Sequence, residues 1–391
     1  MLALPNSLTQ TQIYTVLNSI AKQATGNSSL VATDTSSFVT VGQEALLTGY
    51  DNVISAISQV LSKTIFSIRP YERKFGRLEQ DAIRFGNHVR KLNIIDKDWE
   101  QDDRLPLTDG QAVDQWIINK PEILQLNFYG QNVFQRHYTL FKDQLDVAFS
   151  SEAEFSRFIT MVTSNCNDMI EQAHESLARM TVVNAIAGII ALNNPNQIVH
   201  LLTEYNTLTG LSLTAQTVYQ PDNYKAFVQW AYARMASVSE MLTERSQIYH
   251  NNISGKEISR HTPKSMQSAY IYAPNKYMMD AMVISNTFNE QYLPKVNAEL
   301  VNYFQSIESP NEIDVTCSYM DATGTKATAT VQESNVFSLI CDDELMGYTP
   351  VNQWSKATDL NARGGYSNVF YHFTDRYYVD NSENAVLFLL D

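Results

Sequence analysis

Cysteine and positive charge are scarce in this 391-residue chain. Its 3 cysteines are odd in number and unclustered, which fits a reducing compartment rather than a disulfide framework. Only 18% of residues are charged, and 42 Asp and Glu against 28 Lys and Arg give a net charge of -14. That balance excludes a protein that coats nucleic acid through its overall charge. Because no apolar run reaches roughly 18 residues and the N-terminus lacks a basic flank, we expect neither a membrane helix nor a secretory signal.

The short motifs that carry catalytic or nucleotide-binding chemistry are also missing. GxGxxG, GxxxxGK[ST], HExxH and CxxC do not occur, and no two of the 7 histidines lie at metal-ligand spacing. The carboxylates of Asp342, Asp343 and Glu344 favour a solvated turn over a cation site. We therefore predict no catalytic residue, no cofactor site and no metal site. A bound metal or cofactor after purification would instead support a soluble acidic enzyme.

The hydrophobic content and its spacing predict an α+β protein. Hydrophobic residues make up 44% of a chain that is long enough for a large core, which excludes disorder as its main state. Residues 1–62 are polar and nearly uncharged, and they predict an extended or partly ordered arm with short helices around Leu17 and Ile57. Strand-like runs return after a helical region at 222–249, so helices and strands are segregated rather than alternating.

Charge is concentrated in one short segment. Residues 69–104 contain nine basic and eight acidic side chains, with the basic ones mostly first and the acidic ones last. Apolar patterns at 78–90 and 116–128 predict the two strands of a long hairpin. Either this hairpin is a solvated surface feature, or its charges meet complementary charges on neighbouring copies. For the second interpretation the candidate subunit-interface residues are Arg69, Arg73, Lys74, Arg77, Arg84, Arg90, Asp96, Asp98, Glu100, Asp102 and Asp103.

A long helix is the strongest local prediction. Ser151 and Glu154 have the spacing of a capping box, and apolar residues then recur every three or four positions through Met180. No proline occurs between Ser151 and Pro195. A helix of about 35 to 40 residues would be about 55 to 60 Å long, which makes it a stiff element that other segments pack against.

The order of these elements resembles the major capsid proteins of tailed phages with the Hong Kong 97 fold. The resemblance is carried by FSSEAEFSRFI at 149–159, AYIYAPNKYMMDA at 269–281, VFSLICDDELM at 336–346, RGGYSNVFY at 363–371 and NAVLF at 384–388. Within that group it is similar to the head protein of small, short-tailed, protein-primed phages.

The resemblance implies a domain layout. It comprises an N-terminal arm (1–62), an extended hairpin loop with flanking strands (63–148), the spine helix of a peripheral domain (149–195), an axial-type domain with a peripheral helix (196–335) and closing peripheral strands (336–391).

The implied function is structural. Hexamers and pentamers of this chain would close into an icosahedral head around double-stranded DNA, assembled in the host bacterial cytoplasm and located in the virion. The expected partners are other copies, scaffolding protein, portal and, non-specifically, the DNA, with no membrane partner. The alternative is an encapsulin-type shell that encloses protein cargo in a cell.

Overall fold

The computed structural model describes residues 10–63, 74–79, 89–95, 102, 104, 106–114, 116, 118, 120, 122–129, 131–284 and 298–391. Its α-helices are α1 (Gln10–Thr25), α2 (Thr35–Leu47), α3 (Tyr50–Lys63), α4 (Lys142–Ala148), α5 (Glu152–Leu192), α6 (Leu201–Thr209), α7 (Pro221–Met241) and α8 (Ala273–Ile284). Its strands are β1 (Val89–Ile95), β2 (Glu122–Phe128), β3 (Asn132–Phe141), β4 (Ile198–His200), β5 (Gln267–Tyr272), β6 (Ala298–Val301), β7 (Ile313–Met320), β8 (Lys326–Glu333), β9 (Val336–Asp342), β10 (Met346–Ala357), β11 (Tyr366–Val379) and β12 (Ala385–Leu389).

The chain forms two compact units, each built from three separate stretches. Unit one combines Met1–Phe85, Gln131–Leu177 and Tyr348–Arg376. Unit two combines Gly86–Gly130, Ala178–Gly347 and Tyr377–Asp391. Both units are therefore assembled from segments that are distant in sequence.

The N-terminal helices of unit one correct the expectation of an extended arm with two short helices. Residues 10–63 form α1, α2 and α3, and α2 was not predicted. Asp34 caps α2, because its side chain accepts a hydrogen bond from the Ser37 backbone N–H at 2.8 Å. Phe38 of α2 is fully buried and meets Phe155 of α5 edge to face at 5.5 Å. These contacts place the segment in the core of unit one.

A three-stranded sheet in the order β10-β11-β3 completes unit one. Side chains alternate between the two faces along β11, and Val369, Tyr371 and Phe373 lie on the buried face. On β3, Leu140 belongs to the same core cluster. The opposite face is more exposed, as expected of a sheet packed on one side only.

Helix α5 confirms the predicted long helix. The Ser151 hydroxyl accepts a hydrogen bond from the Glu154 backbone N–H at 3.3 Å, and the chain leaves the helix at Asn193, whose φ is 50°. Helix α5 continues through Gly188, where an added Cβ would lie 3.0 Å from Asn381 Nδ2. Contrary to the sequence-based expectation, one described stretch, Met169–Leu192, is apolar and long enough to cross a membrane, but 67% of its apolar window is buried in the protein. Core helices pass the same length and composition test.

Unit two contains a five-stranded sheet in the order β4-β12-β9-β5-β6. Strands β9 and β12 are buried at every position, which explains their continuous apolar sequences. Strand β12 pairs parallel with β4 and antiparallel with β9. A separate antiparallel pair, β7 and β8, contributes the buried Cys317.

Several boundaries differ from the sequence prediction. The described part of the first hairpin strand is Val89–Ile95, which extends past the predicted end at residue 90, while residues 80–88 of the predicted strand lie outside the described residues. The second strand begins at Glu122 rather than at residue 116. Helix α7 ends at Met241 instead of near residue 249, because Leu242 caps it and a turn follows. The alternation signal stays the same when a strand shifts by two residues, so it fixes the face of a strand better than its ends.

Candidate assembly interface

The predicted hairpin is an antiparallel ribbon of β1 and β2 in unit two. Val89 pairs with Phe128 and Ile95 with Glu122, and all seven residues of each strand are in register. Directly paired residues point to the same face of the ribbon. The two faces can therefore be assigned from the register.

One ribbon face packs into unit two. Asn93 and Leu126 on this face are buried, and Phe128 contacts Tyr378 with ring centroids 5.5 Å apart. Lys91 lies on the same face, and its side chain is only 18% exposed. This is the inner face of the ribbon.

Lys91 joins the inner face to three carboxylates, of which Asp380 and Glu383 are buried. Its ammonium forms ion pairs with Asp380 at 3.0 Å, with Glu344 at 3.2 Å and with Glu383. Burial by itself lowers the pKa of Lys91, but the charges of Asp380 and Glu383 outweigh burial and raise that pKa. Lys91 therefore stays charged throughout the physiological pH range.

Arg260 is the second cation of this group. Its Nη1 lies 2.6 Å from Glu383 Oε1, and its Nη2 donates to Asn93 Oδ1 at 3.2 Å. Arg260 thus connects the carboxylates to β1 as well. Two cations and two fully buried carboxylates balance one another, which is the condition under which buried charge is tolerated.

The other ribbon face is exposed. Arg90, Leu92, Ile123, Gln125 and Asn127 alternate with the inner residues and are all exposed. Leu92 is 53% exposed and Ile123 is 56% exposed. This set of five residues is called the outer face below. Its mixture of apolar, amide and guanidinium groups suits contact with another protein surface.

The connection between the two strands has further exposed apolar residues. Trp116 and Ile118 are each 80% exposed. A Trp ring in water leaves a large hydrophobic area unburied, so this connection, like the outer face, exposes apolar groups to solvent.

Four of the predicted interface residues lie in the described part of the chain, and they belong to different segments of it. Lys74 and Arg77 belong to unit one, where the Lys74 backbone N–H donates to the Glu175 carboxylate at 2.9 Å. Arg90 lies on the outer face, and Asp102 forms a bidentate pair with Arg104. The other predicted positions lie outside the described residues: Arg69, Arg73, Arg84, Asp96, Asp98, Glu100 and Asp103.

The buried part of this site differs from the sequence-based expectation. The charges of 69–104 were expected to face solvent or another copy, whereas Lys91 is mostly buried and paired with carboxylates almost 300 residues away in the chain. The one available signal was the acidic pair Asp380 and Glu383 just before the apolar strand β12. This acidic pair does not by itself predict which basic residue it contacts.

The Asp342–Glu344 turn is also more buried than predicted. Asp342 is 6% exposed and accepts a hydrogen bond from the Thr262 hydroxyl at 2.7 Å. Burial raises the pKa of Asp342. Asp343 accepts from Ser268 at 2.5 Å, and Glu344 pairs with Lys91. Across the described ranges, no group of three or more His, Cys, Asp or Glu side chains has the arrangement of a metal site.

The family model of the Phi29-like phage major capsid proteins matches residues 17–389. The chain belongs to this family. Family membership supports a phage capsid role over the encapsulin-type alternative. This capsid protein is therefore a structural component of the virion.

Two solved capsid-related structures share its fold. The capsid structure of Staphylococcus phage Andhra aligns with a TM-score of 0.55 and 11% identity, over 84% of this chain and 87% of that chain. A chain in the structure of the head fiber and inner core protein gp22 of native bacteriophage P68 gives the same values. A search of the curated proteins found no match.

Proposed function

We propose that this capsid protein self-associates into hexamers and pentamers that close into an icosahedral head around the double-stranded DNA of a tailed phage. The observation that carries this proposal is the two-faced ribbon. Its inner face is fixed by the Lys91 ion pairs, while its outer face exposes Leu92 and Ile123. A rigidly attached ribbon with an uncovered apolar face suits a contact between copies.

The proposal includes the Hong Kong 97 fold and its domain roles. Helix α5 corresponds to the spine helix, β1 and β2 to the extended loop, and β9 and β12 to the closing strands. Residues 1–62 remain the proposed arm segment, although α1, α2 and α3 give it a folded form. The mixed helix and sheet content and the shared fold with the Andhra capsid support this assignment.

The remaining partners follow from the same proposal. Arg69 through Asp103 contribute charged contacts between copies, scaffolding protein and portal guide assembly in the host bacterial cytoplasm, and the DNA is contacted without sequence specificity. No catalytic step or cofactor is assigned. The net charge of -14 supports weak, non-specific contact with DNA, because like charges repel.

Electron microscopy of the expressed chain tests the assembly role. Co-expression with the scaffolding protein of the same phage should yield closed shells or separate capsomers. A chain that stays monomeric under these conditions contradicts the proposal. Nucleic acid recovered from intact virions, rather than enclosed protein cargo, identifies the contents.

Two outer-face substitutions test the ribbon itself. Leu92→Asp with Ile123→Asp should abolish shells while leaving the unfolding midpoint of the chain unchanged, because both side chains are exposed in the isolated chain. Leu208→Asp is the matched control, since Leu208 of α6 is 69% exposed and lies away from the ribbon in sequence. Shells from the double variant, or loss of shells in the control as well, would exclude a specific role for the outer face.

A further inference from the structure

The two strands of the β7–β8 pair in unit two differ in how their outer edges are covered. Asn184 of α5 lies against the edge of β7, where its Nδ2 donates to the Ser318 carbonyl and its Oδ1 accepts from the Ser318 backbone N–H, each at 2.9 Å. Gln305 makes the same two contacts with the backbone of Asp314, at 2.7 and 2.6 Å. Amide side chains therefore take the place of a neighbouring strand along β7.

The same contacts show which backbone groups of β8 point away from β7. In an antiparallel pair, two opposite residues either exchange their N–H and C=O groups or both direct them outward. Asp314 and Ser318 direct theirs outward, so their partners on β8 do the same, and alternation gives the full outward set: Lys326, Thr328, Thr330 and Gln332. All four residues are exposed, and their outward backbone groups have no hydrogen-bond partner among the described residues.

The sequence of β8 suits pairing at this open edge. The strand has 8 residues and pairs with β7 in continuous register. Between Lys326 and Glu333 it contains no charged residue and no proline, which are the features that natural proteins use to block edge strands. On the opposite face Ala327 and Ala329 are small and half-buried. An edge of this kind can accept a further strand.

We propose that the outer edge of β8 pairs with the outer edge of β8 in a second copy of the chain, antiparallel about a two-fold axis at Ala329. This contact rests on the proposed self-association and specifies one part of it. In this register Thr328 of each copy faces Thr330 of the other, and Lys326 faces Gln332. Every outward residue then exchanges backbone hydrogen bonds with its counterpart, and two two-stranded sheets become one sheet of four strands.

Charge and symmetry favour a second β8 as the occupant. Lys326 and Glu333 cancel, so β8 is neutral in a chain whose net charge is -14. A parallel pair would place like charges directly opposite each other, which is destabilising, whereas the antiparallel pair brings each Lys326 toward the Glu333 end of the other copy. These exposed charges select the direction, and the backbone hydrogen bonds hold the pair, because exposed ion pairs contribute little. A patch that meets itself also forms a closed two-fold contact, the commonest symmetric interface.

Disulfide trapping of the unassembled full-length chain tests this contact. Cys317→Ala with Ala329→Cys is the test variant, and the first change is needed because Cys317 lies directly opposite Ala329 on β7. The two Ala329 positions form a non-hydrogen-bonded pair with Cα atoms about 4.5 Å apart, within the range of a disulfide. Mild oxidation with diamide should therefore give a covalent dimer on a non-reducing gel.

Cys317→Ala with Ala327→Cys is the matched control. The two Ala327 positions would be offset by four residues along the strands, about 13 Å, and should not crosslink. Dimer from the Ala329→Cys variant alone supports the proposal. The absence of dimer from that variant, or equal amounts of dimer from both variants, overturns it.

A second pair of variants keeps Cys317 in place. In the proposed register Thr328 of one copy faces Thr330 of the other, with Cα atoms about 5.5 Å apart. A mixture of Thr328→Cys chains with Thr330→Cys chains should therefore crosslink more than either variant alone. Equal crosslinking in the mixture and in the separate variants overturns the proposal. Circular dichroism establishes that each variant is folded.

Proline substitutions separate the two edges of the β7–β8 pair. Thr330→Pro, added to the Ala329→Cys variant, removes an outward N–H of β8 and should abolish the crosslink, because proline blocks an edge without breaking the ladder on its other side. Thr316→Pro is the control, since Thr316 pairs with Thr330 but lies on β7, and it should leave the crosslink intact. A crosslink that survives Thr330→Pro overturns the proposal.

The crosslink also distinguishes this contact from the assembly role as a whole. Crosslinked dimers from a chain that never forms shells would support the β8 contact and contradict the proposed head. Shells in which the Ala329→Cys variant does not crosslink would support the head and overturn the β8 contact. If Thr330→Pro abolishes shells while Ala329→Cys does not crosslink, the edge receives a strand of another protein, and the pairing of β8 with β8 is wrong.

Discussion

At the scale of single residues, buried charge fixes the ribbon. Lys91 is the only residue of β1 that forms ion pairs in the described part of the chain, and its three partners come from two separate loops. A salt bridge of this kind contributes position more than net stability, because desolvation offsets its attraction. Removal of one partner of a buried ion pair is strongly destabilising, because the remaining charge stays buried without a counter-charge.

Lys91→Met should lower the free energy of unfolding by about 3 kcal/mol or more, because Asp380 and Glu383 lose their nearest cation. Urea denaturation measures the change. Lys326→Met serves as the control, since Lys326 is exposed on β8 and should change stability by less than about 0.5 kcal/mol. Similar losses in both variants would show that the Lys91 ion pairs have no special importance.

His250 gives unit two a predictable dependence on pH. It is 1% exposed, and its Nδ1 lies 3.0 Å from Asn384 Oδ1. Burial lowers the pKa of His250 below the usual 6.5. At a pH between the lowered pKa and 6.5, His250 is therefore protonated in the unfolded chain but neutral in the folded chain. Stability from this residue is complete above pH 6.5 and falls as the pH drops through the lowered pKa.

His250→Gln should therefore flatten the dependence of the melting temperature on pH between about 7 and 5. Gln retains a donor for Asn384 but does not titrate. Melting curves for both proteins at several pH values measure the difference between the two slopes. Parallel slopes would mean that carboxylates, rather than His250, set the acid sensitivity of unit two.

At the scale of elements, the packing of α5 explains why a glycine, Gly188, lies in the interior of this helix. Gly in the interior of a helix usually costs about 1 kcal/mol relative to Ala. At position 188, however, an added Cβ would lie 3.0 Å from Asn381 Nδ2 and 3.3 Å from Tyr319 Cβ. The close approach of these neighbours explains why glycine occupies a buried position in a long helix.

Gly188→Leu should destabilise the protein by about 2 kcal/mol, because overpacked cores shift their neighbours. Chemical denaturation gives the value. Met180→Leu is the control on the same helix, since Met180 is 66% exposed. An unchanged free energy of unfolding in Gly188→Leu would contradict this prediction, because it would show that Asn381 and Tyr319 can move aside without loss of stability.

At the scale of the whole molecule, the uneven distribution of charge bears on assembly. The total of -14 makes copies repel one another, so any lattice needs local contacts that overcome repulsion. The basic residues before the ribbon and the acidic residues within its loop are the candidates for those contacts. Their effect belongs to the assembled particle rather than to the isolated chain.

Reversal of Arg73, Lys74 and Arg77 to Glu should block shell formation while the chain stays folded. The variant replaces positive groups that would meet carboxylates on another copy. Sedimentation and electron microscopy measure the yield of shells, and circular dichroism monitors folding. The triple variant Lys225→Glu, Lys326→Glu and Lys356→Glu is the control, because it changes the net charge by the same amount at other sites and should still form shells. A normal yield from the first variant contradicts charge pairing between copies.

The sequence by itself determined the elements whose pattern is local. The cap at Ser151 and the spacing after it specified α5, and continuous apolar runs specified β9 and β12, because helix caps and periodicity depend on neighbouring residues. The match of residues 17–389 to the capsid family likewise follows from the sequence. Helix α2 was missed because its threonines, valines and Gly42 have low helix propensity, although its buried residues Phe38, Val41 and Ala45 have helical spacing.

Only the tertiary structure decided which charges are buried and which groups they meet. Lys91 meets Glu383 across 292 positions of the chain, and Asp375 of β11 approaches His174 of α5 across 201 positions, at 3.3 Å. Electrostatic pairing depends on distance in space, which local sequence patterns do not encode. The composition thus specified a charged hairpin, and the fold determined which of its faces is held by ion pairs and which is free to contact another copy.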